Sequence, residues 1–276
     1  MSGAVEGQVA FVTGAARGQG RAHAVRLAGE GADVIAVDAC APIGTVPYAM
    51  PTPEDLEETA SLVREQGGKV VTATVDVRDL AGLTDAAAGG VAQLGRLDIV
   101  VANAGISTTA STLEMTEEMW TTMLDINLTG VWKTVKATVP HITAGGRGGS
   151  VVITSSVATE IAHEHTAHYT ASKHGLVGLM RVLAKELAPQ RIRVNSLHPT
   201  TVATGMVLND AIYRLFRPDL EEPTQEDFLQ AAQEINALPV PVLAPIDIAH
   251  AMLYLVGDSG RFITGTMQVL DAGASL

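Results

Sequence analysis

The first 38 residues read strand, glycine turn, helix, strand, and no other stretch restricts the fold as much. Gln8 to Gly14 (QVAFVTG) is a short apolar run ending in glycine, as expected of a buried strand. GAARGQG then opens a helix, RAHAVRLAGEG, which Gly29 and Gly31 close. DVIAVD (Asp33 to Asp38) is the second strand, completing a βαβ unit. Gly14, Gly18 and Gly20 give the pattern T-G-x-x-x-G-x-G. Glycines there let the backbone approach a pyrophosphate, and the free N–H groups of the helix start receive its charge. A lone glycine pattern is weak evidence, but here it follows a strand, precedes a helix and is met by an acid. That context points to dinucleotide binding.

The acid is Asp38, eighteen residues after Gly20. A carboxylate at this place accepts hydrogen bonds from ribose hydroxyls and repels a 2′-phosphate, which favours NAD over NADP. Arg17 in the glycine turn argues the other way, since a basic group there can meet a phosphate; the specific contact of Asp38 outweighs it. Residues 39–52 (ACAPIGTVPYAMPT) carry three prolines and no helical period. They form an inserted loop longer than such folds usually have, either decoration or a wall around the adenine end.

Further along, Pro53 opens a helix and KVVTATVDV (Lys69 to Val77) is a third strand, with Asp76 at its end, where it could touch an adenine amine. LDIVVANAG (Leu97 to Gly105) is the fourth, placing Asn103 where a ribose lies. A long helix near Thr116 to Pro140 holds Asn127 among core residues, where an amide needs partners. VVITS (Val151 to Ser155), RIRVNSLHPT (Arg191 to Thr200) and GTMQVLDAG complete the strands. The segment from Thr201 to Pro241 mixes apolar side chains with acids and reads as a lid over the strands' C-terminal ends, or as a surface helix pair. The architecture expected is α/β: a doubly wound parallel sheet with helices on both faces, one domain over residues 1–276.

Chemistry concentrates between Ser156 and Lys173. Tyr169 and Lys173 are four apart on a helix of apolar period, so they share a face. A tyrosine with a pKa of about 10 is a poor base at neutral pH. A neighbouring ammonium lowers that value, and the serine hydroxyl orients the oxygen with which the phenol trades a proton. Y-x-x-x-K alone occurs by chance; its weight comes from the glycine turn and acid upstream. His163, His165 and His168 cluster before the tyrosine, but their spacing fits no strong metal pattern.

The formal net charge of −12 and the absence of a basic cluster argue against nucleic acid as a partner. The single cysteine, Cys40, excludes an intramolecular disulfide and a multi-cysteine zinc site. No signal peptide and no 18-residue apolar run are visible, so the expected home is the cytoplasm, away from any membrane.

Taken together, TGAARGQG (Thr13 to Gly20), Asp76-Val77, NAG (Asn103 to Gly105), Asn127, Ser156, YTASK (Tyr169 to Lys173) and HPTTVAT (His198 to Thr204) resemble the short-chain dehydrogenase/reductase family along the whole chain. The resemblance implies an Asn127–Ser156–Tyr169–Lys173 tetrad, a homotetramer, and a small alcohol or ketone substrate. It places Gly14, Arg17, Gly18 and Gly20 on the pyrophosphate, Asp38 on the ribose, Asp76 and Val77 on the adenine, Asn103 at a ribose, and Thr201 and Thr204 near the carboxamide and phosphates. Tyr169 and Lys173 would also touch the cofactor. Ala102 stands where many members have asparagine, and Thr200 where a glycine is common.

The inserted loop, the TGAARGQGRAHA opening and AHYTASKHGLVGLMR are similar to the mycofactocin-coupled, carveol-dehydrogenase-like subgroup. That similarity implies NAD that does not exchange, its hydride passing to an external redox carrier. Apolar lid residues suggest an apolar, cyclic, terpene-like alcohol. An ordinary NAD(H)-exchanging ketoreductase is the alternative. A silent NAD-binding regulator would be expected to lose part of the tetrad, and an epimerase would need a longer C-terminal domain.

Overall fold

A computed structural model of the chain describes residues 3–276. Seven strands form one sheet in the order β3-β2-β1-β4-β5-β6-β7, and every neighbouring pair is parallel. The strands are β1 (Val9–Thr13), β2 (Asp33–Asp38), β3 (Val70–Thr74), β4 (Ile99–Ala102), β5 (Gly149–Thr154), β6 (Ile192–Pro199) and β7 (Met267–Leu270). The helices are α1 (Gly18–Ala28), α2 (Pro53–Glu65), α3 (Leu80–Leu94), α4 (Glu117–Leu124), α5 (Gly130–Gly145), α6 (Ala167–Leu187), α7 (Asp210–Phe216), α8 (Gln225–Ile235) and α9 (Pro245–Val256).

The alternation of strand side chains explains why helices cover both faces. Ala10 and Val12 of β1, with Val34 and Ala36 of β2, point to the face packed by Ala24 and Leu27 of α1 and by Ile248 and Met252 of α9. Val9, Phe11, Ile35 and Val37, from the alternate positions, meet Leu83 of α3, Val135 of α5 and Leu176 and Met180 of α6. Central strands that bury both faces must be apolar throughout, and β1 is buried at all five positions. Helix α2 starts where its sequence says it should. Thr52 accepts from the Asp55 N–H, Asp55 returns the bond to the Thr52 N–H, and Pro53 occupies the first turn.

Three boundaries differ from the sequence reading. Strand β3 ends at Thr74, so Asp76 and Val77 sit in the turn beyond it. Strand β4 is only four residues long, and Asn103 to Gly105 already belong to the exit loop. The helix expected over 116–140 is two helices joined by a π-helical turn, Asp125–Thr129, and the second runs through Pro140 to Gly145. A proline removes one rung of the ladder without ending a helix that packing holds on both sides of it.

No helix among the described residues is long and apolar enough to cross a membrane. The reading of the N-terminus as free of a leader includes Met1 and Ser2, which lie outside the described residues.

Candidate active site

The strand order reverses between β1 and β4, and open α/β sheets bind ligands in the crevice at that point. Here the crevice is a long cleft whose walls include Gly14, Gly18, Asp38, Val77, Tyr169 and Lys173. Gly14 and Gly18 have φ values of +65° and +57°, a backbone region that side chains disfavour. A side chain on Gly20 would run into the Gly14 carbonyl, so the third glycine allows helix and turn to touch. Gly20 therefore lies behind the cleft wall, as a packing residue. Thr204 and Gly205 pack against this turn, beside Gly18 and the Arg17 guanidinium. A methyl placed on Gly18 would sit 3.1 Å from Thr204 Cγ2, and one on Gly205 would sit 3.4 Å from the Arg17 guanidinium.

Asp38 is 7% exposed at the tip of β2. Its carboxylate accepts from the Ala16 N–H at 3.0 Å and the Cys40 N–H at 3.2 Å, which aims it into the cleft entrance beside the glycine turn. Lone pairs remain for two ribose hydroxyls, since a carboxylate accepts about four hydrogen bonds. Asp76 also lines the cleft, but its carboxylate is gripped by Arg78 at 2.7 Å and held below its ordinary pKa, despite burial, by bonds from the Arg78 side chain and backbone. Asn103 is a clamp. Its Nδ2 donates to the Thr13 carbonyl at 3.1 Å and its Oδ1 accepts from Thr154 at 3.2 Å, tying the ends of β1, β4 and β5 together.

At the other end of the cleft Lys173, Tyr169 and Ser156 meet. Lys173 is 4% exposed and donates from Nζ to the Thr154 carbonyl at 3.0 Å. Its Nζ lies 5.5 Å from the centre of the Tyr169 ring. Burial lowers the ammonium to about 8, because a charge pays for lost solvation. The same burial raises the Tyr169 phenol, while a hydrogen bond with Ser156 pulls it back. This departs from the expectation that the lysine lowers the tyrosine: in the chain by itself, burial dominates and Ser156 supplies the opposing pull.

Asn127 sits in the π turn, fully buried behind the cleft wall. Its Oδ1 accepts from the Ile106 N–H and its Nδ2 donates to the Ile106 carbonyl, both at 2.9 Å. The side chain is thus spent on holding the β4 exit loop, where Gly105 separates it from Lys173.

A second pocket opens against the first, and Ser156, Tyr169, Thr200, Met206 and Val207 belong to both walls. Its remaining lining is largely apolar, including Ile161, Ile212, Leu215, Phe216 and Ile235. Thr201, expected on the cofactor, lines this pocket instead, and its hydroxyl donates to the Pro241 carbonyl at 3.4 Å. Helices α7 and α8 form the outer wall. They have a small core of their own in which Phe228 stacks on Tyr213 at 5.4 Å and meets Phe216 edge-on at 5.0 Å.

The comparisons with known proteins agree with this geometry. A family model described as short chain dehydrogenase matches residues 8–211. The chain belongs to the short-chain dehydrogenase family. It is 52% identical to the (−)-trans-carveol dehydrogenase of Rhodococcus erythropolis over 273 residues, covering 99% of each protein. The crystal structure of carveol dehydrogenase from Mycobacterium avium in complex with NAD superposes with a TM-score of 0.97 at 55% identity, covering 99% of both chains. A short-chain dehydrogenase from Mycobacterium paratuberculosis bound to NAD gives 0.91 at 44% identity, again over 99% of each.

For this short-chain dehydrogenase two features escape sequence reasoning. Tyr48 of the inserted loop lines the cleft, and its hydroxyl accepts from the Ser107 N–H at 3.1 Å, with burial pushing the phenol up to about 12. Around it, Ile43, Val46 and Met50 pack on Val77, Ile106, Met123 and Ile126, the cluster that Tyr169 also joins. The loop is therefore a wall of the cleft, and it reaches the cluster that Tyr169 joins. The only signal was an aromatic residue amid apolar ones in a proline-rich insertion. The second feature is His198. Of the three histidines near the tyrosine, His168 is buried with Nε2 2.8 Å from Thr108 Oγ1. His163 and His165 stay exposed, and no metal-binding cluster is found among the described residues.

Proposed function

We propose that this short-chain dehydrogenase is an NAD-dependent oxidoreductase interconverting a secondary alcohol and a ketone on an apolar, cyclic, terpene-like substrate. The observation that carries this reading is the shared wall. Ser156 and Tyr169 stand where a cleft shaped for a dinucleotide opens into an apolar pocket. The fit to NAD rests on the glycine turn, which has no room for a side chain at Gly20, and on the Asp38 carboxylate, whose charge opposes a 2′-phosphate. Gly14, Arg17 and Gly18 would line the pyrophosphate, with Thr204 closing over them, and Val77 with Asp76 would flank the adenine. Bound NAD supplies the hydride acceptor.

In oxidation, Tyr169 Oη takes the proton of the carbinol and Ser156 Oγ holds the same oxygen. Lys173 stabilises the phenolate and reaches the cofactor ribose. The relay behind it would use a water at Asn127, whose side-chain amide is already bound to Ile106.

The finer part of the proposal is that NAD does not exchange and that an external redox carrier of the mycofactocin type removes its hydride. What supports this is the docking of residues 39–52 onto the cleft through Tyr48 and three apolar side chains. The test is a cofactor assay on fresh protein: denature it, quantify released NAD(H), and compare alcohol oxidation on added NAD with oxidation on an electron-accepting dye. Near-stoichiometric NAD with turnover only on the dye is the expected result. Little bound NAD and steady turnover on added NAD would make it an ordinary exchanging ketoreductase.

A further inference from the structure

His198 is fully buried near the end of β6, and both of its ring nitrogens have partners. Nε2 is 2.8 Å from Ser196 Oγ. Nδ1 is 3.1 Å from the Ser156 carbonyl oxygen and 2.8 Å from Thr159 Oγ1. A carbonyl can only accept, so Nδ1 carries the proton and Nε2 accepts from Ser196. Burial, with smaller contributions from Lys173 and His174, lowers the imidazole to about 4, so it is a neutral donor at any working pH.

The carbonyl it grips belongs to the residue that holds the reacting oxygen. Thr159 Oγ1 donates to the same Ser156 carbonyl at 3.0 Å, and the Thr159 N–H does so at 3.2 Å. Ser156 Oγ in turn accepts from the Ala158 N–H at 3.1 Å. The direction of the serine hydroxyl is therefore inherited from the short turn Val157–Thr159, and that turn is pinned to β6 through His198. A histidine serving only the core would spend its bonds on the sheet. This one spends one bond on its own strand and the others on the serine turn.

We propose that His198 is a positioning residue for the alcohol–ketone reaction: its Nδ1–H locks the Ser156 carbonyl and so aims the Ser156 hydroxyl at Tyr169 and the reacting oxygen. The proposal rests on the reading of Ser156 and Tyr169 as the reacting pair. Its consequence is electrostatic as well as steric. Ser156 is what pulls the Tyr169 phenol down, so a serine out of place leaves less phenolate at a given pH.

The test uses His198→Ala, His198→Asn and His198→Gln, each assayed for turnover of a cyclic secondary alcohol across pH, for NAD retention and for melting temperature. Asparagine places an N–H close to where Nδ1 was; glutamine reaches instead toward the Nε2 side. Alanine and glutamine are expected to lower kcat roughly 10- to 100-fold, as a misplaced reacting group does. They should also move the acidic limb of the oxidation pH profile upward, since the phenol must lose its proton to act as base, and leave NAD content unchanged. Asparagine should recover most of both. The proposal is overturned if glutamine works as well as asparagine, if the pH profile stays fixed while activity tracks melting temperature, or if none of the three folds. If alanine alone fails to fold, the Asn–Gln pair decides. Tyr169→Phe in the same assay separates the two claims: were it to keep turnover, the reading of the reacting pair would fall whatever the His198 variants do.

Discussion

The two cavities are built by different means. At the dinucleotide end the shape comes from backbone: two glycines at positive φ, a third pressed on a carbonyl, and a carboxylate held by main-chain N–H groups. At the substrate end it comes from side chains on α7 and α8, whose core is a trio of aromatic rings apart from the main sheet. Backbone shape tolerates few residue types, whereas an apolar wall tolerates many. The first end can be rigid for a fixed cofactor, and the second can be retuned for different alcohols.

That contrast can be broken from either side. Among substitutions that reshape a cavity, the largest effect is expected for Gly20→Ala. Its Cβ must displace the Gly14 carbonyl, with overpacking strain of about 1–3 kcal/mol, so NAD retention should fall roughly 10- to 100-fold. Equilibrium binding of NAD to refolded protein checks this. Phe228→Ala should do the converse. Removing a fully buried ring from a three-ring core loosens the outer wall, raising KM for a cyclic alcohol about tenfold while NAD content stays constant. Steady-state kinetics and cofactor content on one preparation report both. A smaller effect is expected for Tyr48→Phe, which removes the acceptor for the Ser107 N–H. A net loss of about 1 kcal/mol corresponds to roughly fivefold faster NAD release, read by stopped-flow displacement.

The same division sets what the sequence could reveal. Strand β1, the glycine turn and Asp38 were legible because each needs a particular residue type at a fixed spacing. The parallel sheet followed from apolar strands alternating with helices. The π turn at Asn127 was not legible, since no side chain announces an extra residue in a helical turn. Nor were the commitments of particular polar groups, such as Asn103 to Thr13 and Thr154, Asp76 to Arg78, and Thr201 to Pro241. These depend on neighbours distant in sequence. The shift of Tyr169 was misjudged for a related reason: spacing shows that a lysine is near, but not that burial acts on both groups at once.

The central claim is that Tyr169, at the junction of the two cavities, moves the proton. The most direct measurement is turnover of a cyclic secondary alcohol by Tyr169→Phe, with bound NAD quantified on the same sample. The account predicts unchanged NAD and turnover lower by about 10²- to 10⁴-fold, the usual share of a general base. A phenylalanine variant that kept most of its turnover with NAD in place would contradict it.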